Sequence, residues 1–163
     1  MSLNKLNIGS DNNLRDGWYN IDEFNIKPGT IKMNALKLEF PDNFFDEICA
    51  RDVLEHITHT RTDEALKEWY RVLKPEGKIY IQTPNLKGWA LALVHHKCSD
   101  EHVALHLYAH QDNPGNYHYA GFTDNILRTK CETIGFKNIE AIDEDRKTKK
   151  TAEDTNLHYW MTK

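Results

Sequence analysis

At 163 residues the chain is one domain's worth, long enough to bury a single core. Its formal charge of −4 argues against nucleic acid as the main partner, because phosphate binding needs a basic face. The longest apolar run, WALALV, falls far short of membrane-spanning length, the N-terminus lacks a secretory pattern, and Cys49, Cys98 and Cys131 form no CxxC pair; together these point to a reducing cytoplasm and no membrane.

Residues 5–8 and 18–21 read as short strands, the first ending at Gly9 in LNIGSDNNL. Residues 9–17 alone join them, whereas a parallel crossover helix needs roughly a dozen residues or more. The first crossover helix is therefore expected to be reduced or absent. FDEICA, residues 45–50, begins polar and ends apolar, as a strand entering a sheet covered on both faces does.

Residues 63–73 form the clearest helix: Leu66, Trp69, Tyr70 and Leu73 share a face, Thr62 or Asp63 caps the start, and KPEG stops it. KIYIQT, residues 78–83, is then a strand rich in β-branched and aromatic residues, ended by Pro84. Another helix runs from about Asp124 to Ile134, capped by Thr123, with Gly135 supplying a left-handed turn and Phe136 packing back. NIEAI and LHYWMT close the chain as strands, a hairpin across the solvated basic loop RKTKK. The order of elements is that of an α/β sheet, mostly parallel with a C-terminal antiparallel hairpin. Residues 1–163 read as one domain, with 86–120 as an insert that acts as lid and acceptor-binding segment.

LNIGS, YNIDEF, FPDNFFDEICARDVLEHI, ALKEWYRVLKPEGKIYIQTPN and NYHYAGFTDNILRTKCETIGFKNI, in this order, resemble the class I S-adenosylmethionine-dependent methyltransferases, most of all the compact type 11-like branch. The resemblance spans most of residues 5–140 and implies a minimal Rossmann-like methyltransferase sheet with S-adenosyl-L-methionine as cofactor. It places Gly9 and Ser10 around the methionine part and Asp22 on the ribose hydroxyls, with Glu23 as the fallback. A carboxylate suits two hydroxyl donors because it offers two acceptor oxygens. Asn34, Ala35 and Leu36 fall at the adenine, and Arg51 and Asp52 beside the reacting end of the cofactor.

Asp11 and Glu76 stand where the family carries glycine. Glu76 lies in a surface turn. Asp11 lies at the cofactor loop, where a carboxylate would repel a dinucleotide's pyrophosphate but attract a sulfonium and an α-ammonium. Aspartate also enters the left-handed backbone region more readily than most residues. Asp11 thus weighs against NAD more than against S-adenosylmethionine.

Catalysis of methyl transfer is chiefly alignment; a base is needed only where the acceptor must lose a proton. His56 in LEHI is the first candidate base, set against a plain packing or capping role. Glu55 beside it reads as structural or solvent-facing. Tyr117 and His118 (with Tyr119) are further candidates from the insert, against aromatic packing of a lid; Trp89 and Tyr108 read as packing. His102, His106 and His110 share a helix face near His95, His96 and Cys98, but no tight Cys/His signature is present and no metal is assigned.

The expected function is transfer of a methyl group to a small-molecule or sugar-type acceptor. A catalytically degenerate binding module of the same fold and a metal-binding protein using the His-rich insert are the alternatives.

Overall fold

A computed structural model describes residues 3–151 and 153–163. Seven strands form a single sheet in the order β3-β2-β1-β4-β5-β7-β6: β1 (Lys5–Ile8), β2 (Tyr19–Asp22), β3 (Thr30–Lys32), β4 (Phe45–Arg51), β5 (Leu73–Pro84), β6 (Lys137–Ala141) and β7 (Asn156–Thr162). The first five run parallel, and β7 pairs antiparallel with both β5 and β6. The strand order reverses between β1 and β4. At such a switch point a cleft opens beyond the carboxyl ends of the strands.

The expected loss of the first crossover helix is borne out, and β1 and β2 are parallel neighbours all the same. Two buried amides replace the helix. Asn7 on β1 donates to the carbonyl of Asn13 (2.8 Å) and to Asn20 Oδ1 (2.9 Å). Asn20 on β2 donates to the carbonyls of Arg15 and Trp18 and accepts from the Arg15 N–H. Loop groups that a helix would have satisfied internally are thus satisfied by strand side chains.

Among the described residues no helix stands anywhere between β1 and β4, and this changes the sheet. One face carries Leu6, Ile48, Ile79 and Met161 in register, and beneath them pack Leu66 and Trp69 of α1 (Thr62–Val72) and Leu127 and Cys131 of α4 (Asp124–Ile134). The opposite face carries Lys5, Glu47, Lys78 and Thr162 in one row and Arg51, Gln82 and His158 in another. Among the described residues its buried apolar cluster is Cys49, Tyr80 and Trp160, under Trp18 and Ile142. The expectation of a sheet covered on both faces is corrected: FDEICA starts with the alternation of a half-wet strand, and its apolar end conceals it.

Other boundaries hold within a residue or two, except that β5 starts at Leu73 rather than Lys78 and takes in the KPEG segment expected as a turn. Helix α1 starts at Thr62, but neither expected cap operates: the cap position is Arg61, without a side-chain bond, and the Thr62 hydroxyl donates to the His59 carbonyl. Helix α4 begins under a Thr123 hydroxyl cap and ends at Gly135 with φ 119°. Phe136 packs against Tyr70, with ring centroids 5.1 Å apart. Glu76 sits exposed at φ 60° in the irregular first part of β5 rather than in the expected surface turn, as its glycine-like position requires. Strand β3, three residues long with Ile31 exposed, is absent from the sequence reading. The insert holds two helices, α2 (Leu86–Val94) and α3 (Asp100–Tyr108), sharing a small core of Trp89, Ala92 and Val103. No helix among the described residues is long and apolar enough to cross a membrane.

Candidate cofactor and acceptor site

A cleft of about 1070 Å³ opens at the carboxyl ends of β1, β2 and β4. Gly9, Asp11, Asp22, Glu23, Asn34, Ala35, Leu36, Arg51, Asp52 and His56 all line it. Residues distant in sequence that were singled out for one cofactor thus meet at one cavity.

The loop after β1 is shaped by backbone geometry. Gly9 has φ 65°, and a Cβ there would stand 2.4 Å from Cγ2 of Val53. Asp11 has φ 37°, in the left-handed region that its identity tolerates. Ser10 turns away from the cleft: it is buried, its N–H donates to the Ile21 carbonyl, and its hydroxyl has no partner.

Asp22 fixes the floor. Its Oδ2 accepts from the Asp11 N–H (3.0 Å), and its Oδ1 accepts from the N–H groups of Phe24 and Asn25 (2.9 Å each). One lone pair of Oδ2 remains for a hydroxyl donor. Asn25 in turn donates to the Asp11 carboxylate. Asn34 donates to both oxygens of Glu23 and accepts from the Leu36 N–H, which leaves one lone pair on its oxygen. Trp69 of α1 donates from its indole N–H to the Ala35 carbonyl (2.9 Å) and thereby holds the Asn34–Leu36 segment at the cleft.

At the other wall Asp52 adopts φ 53° and accepts from Gln82 Nε2 on both oxygens. Burial raises its carboxyl above the ordinary range, against the lowering pull of Gln82 and Arg51. Arg51 reaches the open sheet face, where it pairs with Glu144, itself also paired with Arg15.

Four carboxylates (Asp11, Asp22, Glu23 and Asp52) line the cleft against two guanidinium groups, Arg51 and Arg61. No helix starts at the Gly9 loop, so no helix N-terminus waits there for a pyrophosphate. The charge, the glycine approach and the volume fit a cofactor that carries a sulfonium and an ammonium group.

The far wall of the cleft is built from the loop after α3. Its Gly115 approaches Phe24 so closely that an added Cβ would stand 2.7 Å from the ring. Asn113, Pro114, Gly115 and Asn116 complete the cleft wall. The sequence reading missed these four and Phe24, since nothing local marks a contact between two distant loops. A second cavity of about 290 Å³ adjoins, lined by Pro84, Leu86, Tyr108, His118, Tyr119 and neighbours. Tyr119 lines both cavities.

His56 and His118 stand edge to face, 4.8 Å between centroids, His56 at the large cleft and His118 at the small one. Burial lowers both imidazoles below their usual range, so both are neutral near pH 7. Tyr117 enters through its carbonyl, which accepts from His56 Nδ1 (3.0 Å), while its ring stacks on Tyr119; it lines neither cavity. Glu55 is not solvent-facing. It is 1% exposed, and burial, with the nearby Asp52 charge adding, pushes its carboxyl up to about 8.

His102 and His106 take a packing role, while His110 lies beyond the end of α3 and does not share their helix face. His106 stacks on Trp89 (4.1 Å), His102 lies beside both, and Trp89 is buried. Among the described residues they belong to no metal-type cluster.

Residues 10–81 match the family model described as methyltransferase domain. Over these residues, less than half of its length, the chain is similar to that family. Among curated proteins it is similar to the ubiquinone/menaquinone biosynthesis C-methyltransferase UbiE of Chromobacterium violaceum. That match is 46% identical over 61 residues and covers 37% of this chain and 24% of the relative. It is also similar to a demethylmenaquinone methyltransferase of Listeria monocytogenes, 33% identical over 91 residues, covering 54% of this chain and 35% of the relative. The chain therefore matches only about a quarter to a third of the length of these relatives.

Two solved structures share the fold. One is a SAM-dependent methyltransferase from Archaeoglobus fulgidus (TM-score 0.65, 15% identity, 99% of this chain and 86% of that one). The other is a SAM-dependent methyltransferase from Methanosarcina mazei (TM-score 0.60, 18% identity, 99% and 92%). S-adenosylmethionine is the cofactor this family implies, and the Gly9–Asp22–Asn34 cleft fits it.

Proposed function

We propose that the chain transfers the methyl group of S-adenosylmethionine to a small-molecule acceptor. The observation that carries this reading is the convergence of Gly9, Asp11, Asp22 and Asn34 on one acid-rich cleft without a helix N-terminus. When bound, the cofactor supplies an electrophilic methyl group on sulfonium. Asp22 offers its remaining lone pair to a ribose hydroxyl, and Asn34 with the Ala35 and Leu36 backbone borders the adenine. Asp11 and Asp52 supply negative charge for the cationic end. Val53, Ile57 and the 113–116 loop exclude water, so that the acceptor is held for in-line attack; such positioning supplies several powers of ten in rate.

The acceptor enters beside His56 and Tyr119, from the smaller cavity. Its apolar and aromatic lining suits a flat ring better than a polyol, and the relatives' names point the same way. A quinone-type ring is accordingly the acceptor class we favour over the sugar-type one expected from sequence. Residues 86–120 serve as lid and acceptor-binding segment in this reading.

Calorimetry with S-adenosylhomocysteine tests it. Wild type binds, and Asp22→Asn loses about tenfold or more, as expected when a charge-assisted hydrogen bond is weakened by roughly 1.5–3 kcal/mol. No binding at millimolar ligand would mean a degenerate binding module and sink the enzyme reading.

A further inference from the structure

Glu55, His56 and His118 form a cluster that alignment of a methyl donor does not require. Glu55 Oε2 accepts from the Thr83 hydroxyl (2.9 Å), while Oε1 is buried with no hydrogen-bond partner. A carboxylate oxygen in such a place costs several kcal/mol unless a proton or cation meets it.

The two imidazoles are set as acceptors. His56 Nδ1 lies 3.0 Å from the Tyr117 carbonyl, and His118 Nδ1 lies 3.1 Å from the His106 carbonyl. A carbonyl only accepts, so each Nδ1 carries the hydrogen and each Nε2 keeps its lone pair. A backbone carbonyl behind Nδ1–H is the outer partner that fixes the tautomer of a metal-binding histidine. A ligand-type atom from each of the three residues lies within 4.8 Å of the others. Tetrahedral zinc brings its ligand atoms to roughly 3.3 Å of one another, so closure needs a shift of about 1 Å in the two half-buried rings.

We propose that Glu55, His56 and His118 bind a divalent transition-metal ion of the zinc class in the wall between the two cavities. Two imidazoles and one carboxylate are a ligand set for such ions, and three protein ligands leave a position open for water or an acceptor oxygen. The ion gives His56 a role other than the free base expected from sequence, and it selects acceptors that carry a hydroxyl or carbonyl oxygen. Neither the cofactor nor turnover is needed to detect it, so the metal site and the methyl-transfer reading stand or fall separately.

The test is metal content. Full-length protein, purified without a metal-affinity step, is loaded with zinc sulfate, dialysed and measured by plasma mass spectrometry. Wild type retains stoichiometric zinc. His118→Ala and Glu55→Gln lose it with unchanged far-UV circular dichroism, while His102→Ala retains it. Loss of a ligand weakens affinity at least as much as loss of an outer partner, roughly 10–100-fold. Should either variant misfold, cobalt loading of His56→Cys gives a second readout: a thiolate-to-cobalt absorption band in the near ultraviolet, absent from wild type. Wild type without retained zinc, zinc unaffected by His118→Ala, or a cobalt-loaded His56→Cys without that band overturns the proposal.

Discussion

Gly9 and Val53 approach so closely that the glycine has no room for a side chain: a Cβ would stand 2.4 Å from Val53 Cγ2. The contact locks the loop after β1 onto the turn after β4, on opposite sides of the switch point. Gly17 lies in the same crossover at φ 76° with nothing within 4 Å of its notional Cβ. Gly17→Ala is expected to cost only the left-handed strain, roughly 1–2 kcal/mol. Gly9→Ala adds overpacking of about 1–3 kcal/mol and displaces the loop, so S-adenosylhomocysteine binding falls with it. Urea unfolding and calorimetry on the two variants separate the terms; equal losses would mean Val53 simply moves aside.

Thiol chemistry reports the sidedness of the core. Burial pushes the Cys49 and Cys131 thiols up to about 12, whereas Cys98 is half-buried in the insert. With an aromatic disulfide reagent near pH 8, close to the free-thiol pKa of about 8.5, native protein is expected to react quickly at Cys98 only. The other two react after denaturation. Rapid labelling of Cys49 would show that the cluster under Trp18 opens readily.

Acid should unfasten the segment before β4. Glu68 on α1 accepts from Arg71 and from the Leu38 N–H, and these bonds, Arg71 foremost, hold its carboxyl below the ordinary range. Arg71 also donates to the Leu38 and Phe40 carbonyls. The folded state therefore binds the Glu68 proton less readily than the unfolded state. The stabilisation is full above the unfolded value of about 4.3 and is lost as pH falls through the lower folded one. Glu68→Gln is expected to flatten stability against pH between roughly pH 5 and pH 3, measured by urea unfolding. Parallel wild-type and variant curves would rule the bond out as a contributor.

Much of this was legible in the chain because its signals are local. Thr123 and Gly135 bracket α4 by cap chemistry, and the shortness of residues 9–17 alone dictated a crossover without a helix. The motif positions Gly9, Asp22 and Asn34 fell at one cleft. What stayed hidden depends on distant partners. Glu55 sits next to a cleft residue yet points into the interior, and one residue of phase separates the two outcomes. The Gly115–Phe24 contact joins two loops that carry no pattern of their own. The open sheet face was masked because Cys49, Tyr80 and Trp160 make a small apolar island within it.

That face has a consequence for how the sequence can drift. In a sheet sandwiched between helix layers, neighbouring strand positions are equally intolerant of change. Here a saturation library through β1, β4 and β5 should read as an alternating barcode. Ile48→Ala and Ile79→Ala are expected to cost about 2–5 kcal/mol, while polar exchanges at Lys5, Glu47 and Lys78 stay within about 0.5 kcal/mol. The outward row of Lys5, Glu47 and Lys78 is then free to be rewritten without disturbing the core that holds the cleft.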